Sequence, residues 1–160
     1  MTAIRAWSPL APLALALAAL VFGLDQSHKW WMLHVYGITG QPIAVLPFLD
    51  LVLTWNRGIS YGLFRTPLQA VLIAVSLAIS GLLWLWLCRS RNALTVAALA
   101  IVIGGALSNA FDRVVHGAVA DFFHFHVGEF SWYVFNLADV AIVAGVVLLL
   151  YESFTERRSG

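Results

Sequence analysis

Two aspartates, Asp121 in "VADFF" and Asp139 in "FNLADVAI", stand among residues that are almost all apolar. Asn136 and Asp139 sit inside the first turns of a stretch, residues 135–151, with the composition of a membrane-spanning helix. A carboxylate at the edge of hydrocarbon costs a few kcal/mol, so an acid kept there is a candidate for function. No basic residue lies near Asp139 on its helix face. Two carboxylates in contact cannot both ionise easily. Such a pair shares a proton, and at one pH offers both a general base and a general acid. The base takes a proton from water, which attacks a carbonyl. The acid protonates the carbonyl oxygen and then the leaving nitrogen. This is aspartic peptidase chemistry. The pair titrates as a unit, which leaves the two roles unassigned between Asp121 and Asp139.

Something must bring these two acids together. The chain has 160 residues, 61% of them hydrophobic and 11% charged, with a mean hydropathy of +0.87. Soluble domains carry about 25% charged residues, so the bilayer is the natural solvent. A net charge of +1 gives no reason to expect nucleic acid. The single cysteine, Cys88, excludes an intrachain disulfide and a paired-cysteine redox enzyme. Four apolar runs, at about 7–24, 68–88, 93–111 and 134–151, approach the ~20 residues that cross a bilayer. They predict an all-α membrane protein with one domain over 1–160. The first run also resembles a cleavable signal peptide; it is read as retained, because useful polar residues begin directly after it. Basic flanks at Arg5, Arg89, Arg91, Arg157 and Arg158 place both termini in the cytoplasm. Residues 25–67 and 112–133 then lie outside. In the first of these, "PIAVLPFLDLVLTWN" reads as short strands of a small sheet at the membrane surface.

With this topology the polar groups converge. Asp25 and Lys29 end the first span. Asn56 lies in the outer segment. Asn109, Asp112 and Arg113 end the third span, Asp121 follows, and Asn136 and Asp139 open the fourth. The inner halves carry little beyond Ser76 and Ser80. Asp25 and Lys29 are spaced for an i,i+4 pair, which is a structural anchor by default. Gly105, Asn109 and Arg113 form a small-then-polar stripe on one helix face. Asn109 and Asn136 are helix glue or site residues. Arg113 beside Asp112 reads as an ordinary interfacial charge pair. His124 and His126 alternate and would share a strand face near His116, but without a zinc-site spacing they predict no metal.

The ordered blocks resemble those of bacterial lipoprotein signal peptidase, signal peptidase II. They are "LDQSHK", "NRGISYGLF", "GGALSNAFDR", "VADFF" and "FNLADVAI", and they span nearly the whole chain. The resemblance implies that Asp121 and Asp139 are the catalytic dyad. It places Asp25, Lys29, Asn56, Gly58, Gly105, Asn109, Arg113, Asn136 and Ala138 where the family shapes and supports its site. It implies a multi-pass protein of the bacterial inner membrane, acting at the extracytoplasmic face beside a β-cradle. The implied substrate is a prolipoprotein whose lipobox cysteine carries diacylglycerol, cut just before that cysteine. The implied enzyme contacts membrane lipids, needs no cofactor or metal, acts as a monomer and is inhibited by globomycin. His28 and Ser108 depart from the family's usual hydroxyl and glycine. His28 is expected to supply a substitute hydrogen bond, and Ser108 to narrow helix packing. On the residues alone two other classes stay open: a proton-coupled transporter using the same acids, and a membrane scaffold held by polar glue.

Overall fold

The computed structural model describes residues 8–58 and 65–159. Arg5 and Trp7, residues 59–64 of the asparagine-glycine block, and the side chains of Arg157 and Arg158 lie outside the described residues. The chain is mostly helical, with four helices long and apolar enough to cross a membrane. Helix α1 runs over Ala11–Trp30 and continues as a π-helical turn, Trp31–Tyr36. Strands β1 (Ile43–Leu46) and β2 (Leu49–Asn56) follow. Helices α2 (Arg65–Arg89) and α3 (Ala93–His116) come next, then strands β3 (Val119–Val127) and β4 (Phe130–Ser131), and last α4 (Leu137–Ser159).

The first helix outruns its apolar stretch, passing through Asp25, Gln26 and Lys29 without a break. It can do so because Asp25 and Lys29 are buried against other helices and their charges are matched there. Helix α3 is the hub: it packs against α1, α2 and α4. Close approach is set by small residues. A Cβ on Gly104 would lie 2.6 Å from the Ala18 carbonyl oxygen of α1. A Cβ on Gly105, its neighbour, would lie 2.6 Å from the Ala138 carbonyl oxygen of α4. Adjacent glycines thus admit two helices on two sides of α3. At the opposite end Ala14, Ala18, Leu87, Val96, Leu99, Ala100 and Ile103 form an apolar core. Asn92 caps α3 there by accepting the Leu94 and Thr95 backbone N–H groups, at 2.9 and 3.3 Å.

The outward faces are apolar. Leu82, Val143 and Phe154 are examples of large side chains left without cover. Uncovered surface of this kind is not found on a soluble monomer, and the chain is a multi-pass membrane protein.

The strands form one antiparallel sheet in the order β1-β2-β3-β4. The α1–α2 and α3–α4 segments both contribute to it, so the sheet extends beyond the strands expected from residues 42–56. The pairing of β2 with β3 sets Thr54 opposite Asp121 and Asn56 opposite Val119. Strand β3 is buried where it starts, over Val119–Phe122, and opens toward its end. Asp121 therefore stands on a strand pressed against the ends of the helices. A second apolar cluster of Met32, Ile38, Ala120 and Phe122 packs the π-helical turn under this strand.

Candidate active site

Asp121 comes from β3 and Asp139 from the first turn of α4. Asn136 joins them. Its side-chain amide donates to Asp121 Oδ1 at 2.6 Å, and its backbone N–H donates to Asp139 Oδ2 at 3.2 Å. The Asn136 side-chain oxygen, Oδ1, accepts the Asp139 backbone N–H at 2.9 Å. This is a reciprocal capping box, so Asn136 precedes α4 as its cap and does not lie inside the first turn. Asparagine caps because its short amide can satisfy an orphan N–H of the helix start. The same box fixes where the Asp139 carboxylate points.

Asn109 of α3 completes the inner layer. Its amide nitrogen donates to Asp139 Oδ1 at 2.8 Å. Its oxygen accepts from Asn136 at 3.1 Å and from the Lys29 ammonium at 3.2 Å. Both aspartates are thus met by amides. Among the described residues neither forms an ion pair, while Asp25 and Asp112 share Lys29, at 2.7 and 2.8 Å. An acid faced by amides can gain or lose a proton without stranding a buried cation.

The Asp121 carboxyl is pushed up from an ordinary 3.8 to about 6. Burial is the main cause and the charge of Asp139 the second; hydrogen bonds from Asn56 and Asn136 and the Lys29 charge oppose them. The side-chain oxygen of Asn56 accepts the Gly58 backbone N–H at 2.9 Å, which turns the Asn56 amide toward the strand. Gly58 has φ of 91°, a conformation that L side chains rarely adopt. Arg113 donates from Nη1 to the Asn109 carbonyl oxygen at 3.1 Å, and its buried Nε has no partner among the described residues.

The candidate site residues Asp25, Lys29, Asn56, Gly58, Gly105, Asn109, Arg113, Asp121, Asn136, Ala138 and Asp139 gather at the sheet end of the bundle, although the reasons differ in places from those expected. Asp112 does not pair with Arg113. Consecutive helix residues point about 100° apart, and Asp112 is instead buried against Lys29, Gln26 and the Ala120 backbone N–H. Ser108 does more than fill space: its hydroxyl donates to Asp25 Oδ2 at 2.7 Å. His28 makes no substitute hydrogen bond through Nδ1. It stacks on Phe123, with ring centroids 5.4 Å apart, and meets Phe122 edge-on. His124 and His126 share one sheet face, where both approach Asp50 Oδ2, at 3.7 and 3.1 Å. Gln26, Ser108 and Asp112 were not legible as a group. The available signal was their spacing: Gln26 adjoins the Asp25–Lys29 pair, and Ser108 and Asp112 are an i,i+4 pair facing it.

A model of the family described as signal peptidase (SPase) II matches residues 17–155. This chain belongs to the signal peptidase II family. A lipoprotein signal peptidase of Methylocella silvestris is 56% identical over 149 residues, covering 90% of this chain and 87% of the relative. One of Beijerinckia indica subsp. indica is 50% identical over 147 residues, covering 89% and 88%. A bacterial membrane enzyme structure solved by the in meso method shares the fold, with a TM-score of 0.79 at 23% identity, covering 96% of this chain and 94% of the other. The signal peptidase II match includes both candidate acids and all of their hydrogen-bonding partners named above.

Proposed function

We propose that this protein is a signal peptidase II that removes signal peptides from prolipoproteins, with Asp121 and Asp139 as its catalytic dyad. The observation that carries the dyad is the single asparagine, Asn136, holding both carboxylates, Asp121 by its side-chain amide and Asp139 by its backbone N–H, while among the described residues neither acid forms an ion pair. Asp121 is assigned the role of general acid, since burial and its neighbour raise its tendency to hold a proton. Asp139 takes a proton from water as the water oxygen attacks the scissile carbonyl. Asp121 gives its proton to the carbonyl oxygen. The proton on Asp139 then passes to the leaving nitrogen, the C–N bond breaks, and the reformed carboxyl group hands one proton back to Asp121. The Arg113 Nε–H and the Asn56 amide are donors available to the peptide backbone.

The site opens at the sheet end of the bundle, where Trp30, Trp31, Trp55, Trp132 and Tyr133 are exposed. Aromatic side chains of this kind favour the membrane–water interface. The sheet end is the extracytoplasmic face of the bacterial inner membrane, the sheet is a cradle on that surface, and both termini are cytoplasmic. The enzyme acts as a monomer, and a single domain over 1–160 spans the bilayer at about 7–24, 68–88, 93–111 and 134–151. Globomycin-type cyclic peptides inhibit it.

The substrate is a prolipoprotein carrying diacylglycerol on the lipobox cysteine, cleaved just before that residue. Each buried CH₂ of the lipid adds about 0.8 kcal/mol of anchoring and so fixes the scissile bond at the depth of the dyad. The test is cleavage of matched lipidated and unlipidated prolipoproteins by purified enzyme in nanodiscs. The lipidated form should be cut at least about 100-fold faster, a difference that ~3 kcal/mol of positioning supplies. Equal rates would reject lipid recognition.

A further inference from the structure

We propose that Gln26, Ser108 and Asp112 are positioning residues that close a ring with Asp25 and Lys29, and that this ring sets the separation of Asp121 and Asp139. The inference rests on the dyad reading above. The ring is complete in hydrogen bonds. The Lys29 ammonium donates to Asp25 Oδ2 at 2.7 Å and to Asp112 Oδ2 at 2.8 Å. Gln26 Nε2 donates to Asp112 Oδ1 at 2.7 Å and to Ser108 Oγ at 2.9 Å. Ser108 Oγ donates to Asp25 Oδ2 at 2.7 Å, which returns to the start. Three members lie on α1 and two on α3.

The ring has two exits, and they match. The second oxygen of Asp25, Oδ1, accepts the Ala138 backbone N–H at 2.9 Å. Asp112 Oδ2 accepts the Ala120 backbone N–H at 3.2 Å. Ala138 and Ala120 are the residues immediately before Asp139 and Asp121. Each dyad member is therefore gripped one residue upstream, by one of two carboxylates that share one lysine. Strand β3 and the residue leading into α4 are also joined directly, by the antiparallel bridge between Phe123 and Phe135, with N–H···O distances of 2.9 and 3.0 Å; the ring adds to this bridge by referring both acids to the same pair of helices.

The chemical state of the ring suits a spacer. Its three ionisable members and Ser108 are buried. The three N–H bonds of Lys29 have three acceptors: Asp25, Asp112 and Asn109. A buried ionic group that is fully hydrogen-bonded is stiff, because any displacement strands a charge. Stiffness matters here because misplacement of reacting groups by about 1 Å can cost roughly 100-fold in rate. The charged groups around the dyad are Lys29 and Arg113 as cations and Asp25 and Asp112 as anions.

The experiment compares Asp112→Asn, Ser108→Ala, Asp25→Asn and the double variant Asp25→Asn/Asp112→Asn, with lipidated prolipoprotein as substrate. Asp121→Asn and Asp139→Asn are run beside them. Asp112→Asn should lower kcat roughly 10- to 100-fold while KM stays within about twofold. Ser108→Ala opens the ring without removing a charge and should lower kcat by about threefold to tenfold. The double variant should lose far less than the product of the single losses, because one ring is broken once. In Asp112→Asn the loosened pair repels less, so the Asp121 carboxyl falls back toward its ordinary range and the alkaline limb of kcat/KM moves to lower pH. Helix glue alone would give multiplicative losses, melting points that track activity and no movement of the limb; that pattern overturns the proposal. Wild-type kcat in folded Ser108→Ala and Asp112→Asn also overturns it. If Asp112→Asn does not fold, Ser108→Ala decides by the same criteria. Turnover by Asp121→Asn or Asp139→Asn would instead reject the dyad reading, a result the ring variants cannot produce.

Discussion

At the scale of single residues, the amide Asn136 binds two acids to one another, and each acid can be tested separately. Asp121→Asn and Asp139→Asn keep the side chain's shape but cannot exchange the proton. Each should lower cleavage of a lipidated prolipoprotein by at least about 10²–10⁴-fold with the melting temperature preserved. Protonation gives a second prediction. Since Asp121 is held up to about 6 in the folded protein, kcat/KM should fall as pH rises through that region and the resting proton is lost. Stability follows the same sign. A carboxyl raised on folding contributes stability that is full below its ordinary 3.8 and is lost as pH rises through about 6. The melting temperature of wild type should therefore drop between pH 4.5 and 7 more than that of Asp121→Asn, as differential scanning calorimetry would show. Asp139 stands out in the sequence because an acid at the edge of hydrocarbon has few explanations; Asp121 alone reads as an ordinary loop acid and is picked out by its company, Asp139 and the "VADFF" block. Asp112 was not, because Arg113 stands next to it and offers a partner in sequence that the helix turns away.

At the scale of elements, the spacing of α1, α3 and α4 depends on two glycines. A Cβ at position 105 would press on the Ala138 carbonyl oxygen, one residue from Asp139, and backbone cannot move aside as a side chain can. Gly105→Ala should destabilise the protein by about 1–3 kcal/mol and depress kcat further than its melting temperature accounts for. Gly104→Ala meets α1 at Ala18 instead. It should cost similar stability but leave a larger share of activity, which a paired assay of melting and turnover will resolve. The helices were legible from apolar length, and the strands from their branched and aromatic residues. The ends of α1 were harder to read. Its apolar run stops near Leu24, but the helix continues through Lys29 because α3 supplies acceptors that no local pattern announces. The same holds for β3, whose partner β2 lies more than sixty residues upstream.

At the scale of the whole molecule, the proposed orientation makes a simple prediction. Gln41 lies beside the sheet and is exposed, whereas Cys88 ends α2 at the opposite end. In intact spheroplasts a membrane-impermeant maleimide should label a Gln41→Cys protein and leave Cys88 of the wild type untouched; the reverse pattern would invert the topology. The distribution of buried polar groups along the bundle has a wider consequence. Asp25, Lys29, Ser108, Asn109, Asp112, Asp121 and Asn136 crowd the sheet end, while the other half is closed by the apolar core around Leu87, Leu99 and Ile103. On the proposed orientation, protons reach the dyad from the outer bulk phase. An enzyme so oriented would work beside an energised membrane without being wired to it, and at fixed external pH an imposed membrane potential should leave the cleavage rate unchanged.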